Sequence, residues 1–206
     1  MKNNRLLIIS ILLMSGCAYI PQKVDINPNV MINKEDVGQG KKVAVKIIDD
    51  REDLAIGNRS GSSNYGMIKG AAITAEQDIT EVIKTEVFKG LTDKGFLPVV
   101  YVNNSSEEVA DNQNVLKVSL RTLKYDTDMG LWTGGNIGKA NIKALVSKQE
   151  KNYERNTYER SYQGLEEIRT AFVGSQETNA KVINGALKQS LEKLFNDADL
   201  MEALTK

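Results

Sequence analysis

The chain has 206 residues, with 27 basic side chains, 27 acidic side chains and no histidine. This length is enough for one domain with its own hydrophobic core and does not require two. A formal net charge of zero excludes the basic footprint of a nucleic-acid-binding protein, so we expect no nucleic-acid partner. The absence of histidine removes the commonest general base and the commonest metal ligand.

The first seventeen residues have the parts of a secretory signal. Two basic residues precede an apolar run, Leu6–Met14, and a small-residue step, Ser15–Gly16, leads into the single cysteine, Cys17. The apolar run is too short to cross a bilayer as a helix, which needs about 20 residues. The ending Leu-Met-Ser-Gly-Cys resembles the lipobox of bacterial lipoproteins. That resemblance implies cleavage between Gly16 and Cys17, a diacylglycerol on the Cys17 sulfur and an acyl chain on its new amine.

Two alternatives remain open for this segment, an ordinary cleaved signal with a coincidental cysteine and a buried N-terminal helix. Removal of residues 1–16 takes Lys2 and Arg5 and leaves 25 basic against 27 acidic residues, a formal charge of −2. A domain without a polybasic patch cannot be held on a membrane by charge, so the lipid must hold it. No later apolar run is long enough for a transmembrane helix.

We divide the mature chain at residue 41. Residues 17–40 contain two of the three prolines and no helical period, which predicts a lipidated N-terminus and tether. Within it, either a short extended segment around Val30–Ile32 pairs at a sheet edge, or the whole stretch is a flexible linker. Residues 41–206 are predicted to form a single periplasmic domain.

Periodicity and capping signals predict the first elements of this domain. A β-branched run, Val43–Ile48, predicts a strand. A long loop with four glycines is predicted over 51–75. A capping box at Thr74–Gln77 and a C′ glycine, Gly95, bound a helix predicted over 75–94.

Four further strands and a second helix complete the pattern. In the last three strands, apolar side chains occupy one face and polar side chains the other, as in a sheet covered on one side. Ser175 caps the second helix, and a short helical tail follows at Asp199–Leu204. The order β-α-β-β-β-β-α predicts an α+β fold, a mostly antiparallel sheet of four to five strands with two amphipathic helices packed on one face. The strands are predicted at 96–102, 114–125, 137–147 and 153–168.

The sequence predicts a protein without catalytic or metal chemistry. The acidic run Asp49–Asp53 could supply oxygen ligands to Ca²⁺ or Mg²⁺, but its spacing does not match an EF-hand loop and Arg51 falls among the ligands. A solvated strand end is the preferred interpretation. Thr133–Ala140 superficially resembles a phosphate loop, yet Lys139 is followed by alanine where that motif has Ser or Thr. We therefore expect no enzyme, no metal and no cofactor beyond the lipid on Cys17.

Three tyrosines form a candidate partner surface. Tyr153, Tyr158 and Tyr162 are interleaved with arginines, as on single-strand nucleic-acid platforms. Glu154 and Glu159 cancel that charge. An exposed sheet face or a protein-contact surface is the better interpretation.

With the lipobox and the element order established, the chain resembles the YajG-like family of bacterial outer-membrane lipoproteins. The resemblance implies an α+β periplasmic domain with no assigned activity, and therefore no catalytic residues. The residue that follows Cys17 is Ala18 and not an aspartate, which resembles the sorting pattern that sends lipoproteins to the outer membrane. The likeness is carried by Val43–Val45 leading into Asp49-Asp50-Arg51, Ile56-Gly57-x-Arg59, Lys94-Gly95-Phe96, the strand Val115–Leu123, Ala140-x-Ile142 and the run Tyr153–Tyr162.

The sequence thus predicts a lipoprotein anchored on the periplasmic face of the outer membrane that acts through contacts with an envelope protein in envelope assembly or maintenance. The alternative is a ligand-binding or transport-accessory lipoprotein that handles lipid or cell-wall fragments. An apolar pocket of roughly several hundred Å³ would favour that alternative.

Overall fold

A computed structural model describes residues 21–58, 72–101, 114–129, 134–150, 153–170 and 175–206. Cys17 and the predicted signal peptide lie outside these ranges. The described strands are β1 (Gln22–Val24), β2 (Lys42–Asp49), β3 (Gly57–Asn58), β4 (Ala72–Ala75), β5 (Leu97–Val100), β6 (Asn114–Met129), β7 (Gly134–Glu150) and β8 (Tyr153–Thr170). The described helices are α1 (Ile79–Asp93), α2 (Gln176–Phe195) and α3 (Ala198–Thr205).

The main sheet has five strands in the order β5-β2-β6-β7-β8. Strands β6, β7 and β8 form an antiparallel meander, which agrees with the antiparallel pairing predicted for these strands. Strand β2, however, pairs in parallel with both β5 and β6, so the sheet is mixed and the prediction of a mostly antiparallel sheet is corrected. For β2 and β5 the physical reason is that α1 carries the chain back between them, and a helical crossover joins parallel neighbours.

The three strands of the meander are long and give the domain two separated ends. They contain 16, 17 and 18 residues, which at about 3.3 Å per residue corresponds to about 50–60 Å. We call the end that holds β1 and the start of α2 the proximal end, because the chain enters there. The end that holds β5, α3 and the beginning of β6 is the distal end.

Helices α1 and α2 lie on one face of the sheet, as the amphipathic stripes predicted. Helix α2 begins with Ser175, whose hydroxyl accepts from the Thr178 amide at 3.1 Å, so this predicted cap is confirmed. The helix contacts β7 and β8 closely because two glycines lie beneath it. A Cβ on Gly138 would overlap the Val182 carbonyl, and one on Gly164 would overlap the Ala186 carbonyl.

The segment predicted as a tether packs on the domain from Gln22 onward. Strand β1 pairs in parallel with β4 in a small sheet of order β1-β4-β3. Val24, Ile26 and Val30 are at most 2% exposed and belong to the hydrophobic core. The predicted domain boundary at residue 41 therefore falls inside the folded unit. The prolines and the lack of a helical period in this segment could not show this packing, because a chain that lies between two helices needs no periodicity of its own.

We name residues 22–40 the strap, because they run along both helices. The Gln176 side chain donates to the Lys23 carbonyl at 2.6 Å, and the Asn184 side chain donates to the Asp25 carbonyl at 2.9 Å. Near the distal end, the Gly38 amide donates to the Lys94 carbonyl at 2.8 Å. The strap thus fixes the direction in which the chain enters the domain.

The start of α1 differs from the predicted capping box. Thr74 and Ala75 belong to β4, and the helix is capped by Asp78, whose carboxylate accepts from the Thr80 amide at 2.8 Å. The strand pairing of β4 with β1 occupies the backbone that the predicted box would have used. Gly95 has the positive φ of +82° expected of a C′ glycine, which confirms that part of the prediction.

Candidate functional site

The densest polar cluster of the described residues is centred on Asp197, between α2 and α3. Asp197 is the N-cap of α3, and its Oδ1 accepts from the Asp199 and Leu200 amides at 3.0 and 3.3 Å. Only 9% of the residue is exposed. One carboxylate oxygen therefore begins the last helix, which leaves the other free to contact the sheet.

The second oxygen, Oδ2, collects three donors from β8. The hydroxyl groups of Tyr158 and Tyr162 donate to it at 2.6 and 2.8 Å, and the Arg160 guanidinium donates at 2.6 Å. The two hydroxyl oxygens are themselves 2.8 Å apart. Residues 158, 160 and 162 reach the same carboxylate because alternate residues of a strand share one face. We call these four residues the Asp197 cluster.

The cluster shifts the protonation of its members. Burial is the largest influence on Asp197 and acts to raise its pKa, but hydrogen bonds from Tyr158, Tyr162 and Arg160 outweigh it and lower the pKa below the usual value. Burial, and then the hydrogen bond to Asp197, raises the pKa of Tyr158 to about 12. Burial raises the pKa of Tyr162 as well. At neutral pH the aspartate is therefore ionised and both tyrosines are protonated donors.

This arrangement fastens the C-terminal helices to the sheet. A carboxylate saturated by five donors has no lone pair directed at a substrate, and tyrosines with raised pKa values supply no base near neutral pH. The second guanidinium nitrogen of Arg160 reaches the exposed Asp199 at 3.1 Å and extends the contact along α3. The geometry therefore supports a structural role for the Asp197 cluster.

The predicted tyrosine surface is altered by this finding. Tyr162 is 5% exposed and faces Asp197, so it does not belong to an open surface. Tyr158 is half-buried and lines the wall of a cleft. Tyr153 begins β8, and its side chain lies outside what the structure describes. The spacing correctly placed Tyr158 and Tyr162 on one face, but it could not tell which face the helices cover.

The cleft beside the Asp197 cluster lies at the distal end, between α3 and the adjoining ends of β7 and β8. It has a volume of about 540 Å³. Its walls are largely polar and charged, and they include Lys148, Arg155, Asp199, Glu202 and Lys206. We call it the distal cleft. A lining of this kind is unlike the apolar pocket that the ligand-binding alternative requires.

A second surface feature of the distal end is the edge strand β5. Its neighbour in the sheet is β2, and its side chains Leu97, Val99 and Val100 are 52%, 38% and 55% exposed. Exposed apolar side chains concentrated on one edge strand are unusual, because such edges invite pairing with another chain.

The acidic run after β2 is held by arginines. The Arg51 guanidinium donates to both oxygens of Asp49 at 2.7 Å, which lowers the pKa of that carboxyl, and Arg121 pairs with Asp50 at 2.5 Å. Across the described ranges, no group of three or more Asp, Glu, His or Cys side chains is arranged to hold a metal ion. In the segment Thr133–Ala140, which superficially resembles a phosphate loop, residues 134–140 form part of β7. Thr133 lies outside the described residues.

Sequence reasoning did not single out Asp197 or Lys148, and it noted Arg155 only as one of the arginines interleaved with the tyrosines. The signal for Asp197 was present in Asn196-Asp197-Ala198, a capping residue between two apolar stripes. Its role as a shared acceptor, however, depends on residues 35 and 39 positions away. Lys148 and Arg155 stand on either side of a predicted turn, where basic residues are ordinary.

The fold is an α+β domain in which the Asp197 cluster fastens the C-terminal helices to the sheet. The chain enters this domain at its proximal end. None of the helices in the described ranges is long and apolar enough to span a bilayer. A family described as "Uncharacterized lipoprotein" matches residues 28–205. The chain therefore belongs to this family of lipoproteins, whose function is not assigned.

One relative in particular agrees with this assignment. The uncharacterized lipoprotein YajG of Escherichia coli K12 is 21% identical over 197 residues, covering 95% of this chain and 92% of that protein. The predicted YajG-like resemblance is thus confirmed. The crystal structure of protein XCC0632 from Xanthomonas campestris shares the fold with a TM-score of 0.51 and 13% identity, over 84% of this chain and 92% of that one. A minor lipoprotein from Acinetobacter baumannii has a TM-score of 0.43 and 11% identity, over 80% and 90% of the two chains.

Proposed function

We propose that this protein is a lipoprotein of the bacterial outer membrane, anchored on the periplasmic face, that works without catalysis through contacts with another envelope protein. Cleavage between Gly16 and Cys17 and acylation of Cys17 would supply the anchor. Membership of a lipoprotein family supports the anchor, and Ala18 supports sorting to the outer membrane. The role in envelope assembly or maintenance belongs to the same proposal.

The observation that carries the proposal is the separation of the chain entry from the exposed apolar edge. Cys17 stands five residues before Gln22, so it lies within about 18 Å of β1. Strand β5 lies towards the opposite end of the sheet, about 30–40 Å away along the strands. Lipid at Cys17 would hold the proximal end near the membrane and leave the distal end directed into the periplasm.

Strand β5 suits a protein contact in its chemistry as well as its position. Within the described residues its outer edge is unpaired, so its backbone groups are available to an added strand. Leu97, Val99 and Val100 would lose their exposure in such a contact. Each fully buried apolar side chain stabilises an interface by about 1.5–3 kcal/mol relative to exposure.

Fractionation of cells tests the anchor. The wild-type chain should show the mass of a diacylglycerol and an acyl chain on Cys17 and should sediment with outer-membrane vesicles. The Cys17→Ala variant should accumulate as the unprocessed precursor without lipid. A free thiol at Cys17 in the mature wild-type protein, or sedimentation with the inner membrane, would contradict the proposed location.

Affinity capture from detergent-solubilised envelopes tests the contact. The wild-type protein should recover a specific partner, and the double variant Leu97→Glu/Val99→Glu should lose it, because a charged edge strand resists pairing. Leu165→Glu is the matched control, since Leu165 is 56% exposed on β8, away from β5. Recovery of no specific partner, or equal loss in both variants, would count against the proposal.

A further inference from the structure

Two basic residues of the distal cleft oppose each other directly. Lys148 on β7 and Arg155 on β8 are register partners in the antiparallel ladder. Directly opposite residues have Cβ atoms about 4.5–5.5 Å apart, and like charges in such positions are unfavourable. Both residues line the same cleft.

The acidic residues of the cleft do not compensate this pair, because each already has a cation of its own. Glu202 pairs with Lys206 at 2.7 Å, and Asp199 pairs with Arg160 at 3.1 Å. In the part of the chain that the structure describes, neither Lys148 nor Arg155 makes an ion pair or a side-chain hydrogen bond. Lys148 is half-buried and Arg155 is exposed, so both charged groups are accessible from the cleft.

A comparable pair elsewhere on the sheet shows the contrast. Lys124 and Lys139 are also register partners, on β6 and β7. There, Lys139 contacts Asp126 at 3.5 Å, so an acid within the domain offsets the repulsion. Among the side chains that the structure describes, no acid is paired with Lys148 or Arg155, and the site is concave with room for several side chains.

We propose that the Lys148–Arg155 pair is a binding site for carboxylate side chains on an acidic segment of the protein partner. This inference rests on the proposed function, since it names the chemistry of the partner that the distal end contacts. Ionised carboxylates form charge-assisted hydrogen bonds with lysine and, in bidentate form, with arginine. An acidic segment entering the cleft would separate the two cations electrostatically and leave the pairs at Glu202 and Asp199 in place.

Peptide binding to the full-length acylated protein in nanodiscs of neutral lipid tests the site. The probes are a fluorescent peptide rich in Asp and Glu and a matched peptide in which Asn and Gln replace them. The acidic peptide should bind and the amide peptide should not. Lys148→Gln/Arg155→Gln should weaken binding by about tenfold, and it should not unfold the domain because it removes a repulsion.

Lys124→Gln/Lys139→Gln is the control, because it removes the same number of charges from another opposed pair. This variant should bind the acidic peptide as the wild type does. Equal weakening in both variants would show attraction to net charge and would overturn the inference. Failure of the acidic peptide to bind, or binding only to vesicles of anionic phospholipid, would overturn it as well.

The inference and the proposed function can fail separately. If the capture experiment recovers a partner that Lys148→Gln/Arg155→Gln retains fully, the carboxylate site is refuted and the contact at β5 stands. If no specific partner is recovered at all, the proposed function fails, whatever the peptide does.

Discussion

Replacement of Asp197 by alanine tests the structural role of the Asp197 cluster. The change removes the cap of α3 and the acceptor shared by Tyr158, Tyr162 and Arg160. Loss of an aspartate cap costs about 1 kcal/mol. Removing an acceptor from a buried hydroxyl costs about 1–3 kcal/mol, and the lower half applies because the two hydroxyls still contact each other at 2.8 Å. The free energy of unfolding should therefore fall by about 2–3 kcal/mol.

Urea and thermal unfolding followed by circular dichroism measure this loss. In a chain of this length, it should lower the Tm by about 4–12 °C. Asp197→Asn keeps a good cap and loses the charge, so its stability should lie between those of wild type and Asp197→Ala. Asp199→Asn is the exposed control and should change stability by less than about 0.5 kcal/mol. A loss below about 0.5 kcal/mol for Asp197→Ala would refute the assigned role.

Three further predictions concern pH, close packing and the strap. The folded state raises the pKa values of Tyr158 and Tyr162, so the free energy of unfolding should fall as the pH rises from about 10 towards 12. A pH series of urea midpoints should show a shallower fall in the Tyr158→Phe/Tyr162→Phe variant. An unchanged slope in that variant would contradict the linkage. Gly164→Ala should cost about 1–3 kcal/mol in urea unfolding through overlap with α2, and a neutral effect would refute the close approach. Val30→Ala should cost about 2 kcal/mol by the same measurement if the strap is part of the core, whereas the more exposed Val37→Ala should be nearly neutral, and equal effects would refute this packing.

Features determined by local pattern were predicted correctly from the sequence. The apolar stripe after Ser175 identified α2, because a buried helix face and its cap are encoded within a few residues. The alternation in the later strands located β6, β7 and β8, although each extends beyond its predicted bounds. Alternation reports which side chains are buried and is silent on strand direction, so the parallel pairing of β2 was missed.

Features that depend on distant partners were beyond reach of the pattern. The strap carries no period of its own, and its position depends on contacts with residues about 150 positions later, such as Gln176 and Asn184. Tyr162 was placed on the correct strand, but its burial depends on Asp197 in another element. The opposition of Lys148 and Arg155 depends on the register of β7 with β8, which is shifted by an irregularity at Val146/Ser147.

The central claim is that the distal end contacts an envelope protein, and photo-crosslinking in living cells tests it most directly. A photoreactive residue at Val100, which is 55% exposed on β5, should give a discrete crosslinked product of defined mass. The same residue at Leu165, which is 56% exposed on β8, should give little of that product. Equal products at both positions, or no product at Val100 while the protein is anchored and folded, would contradict the claim.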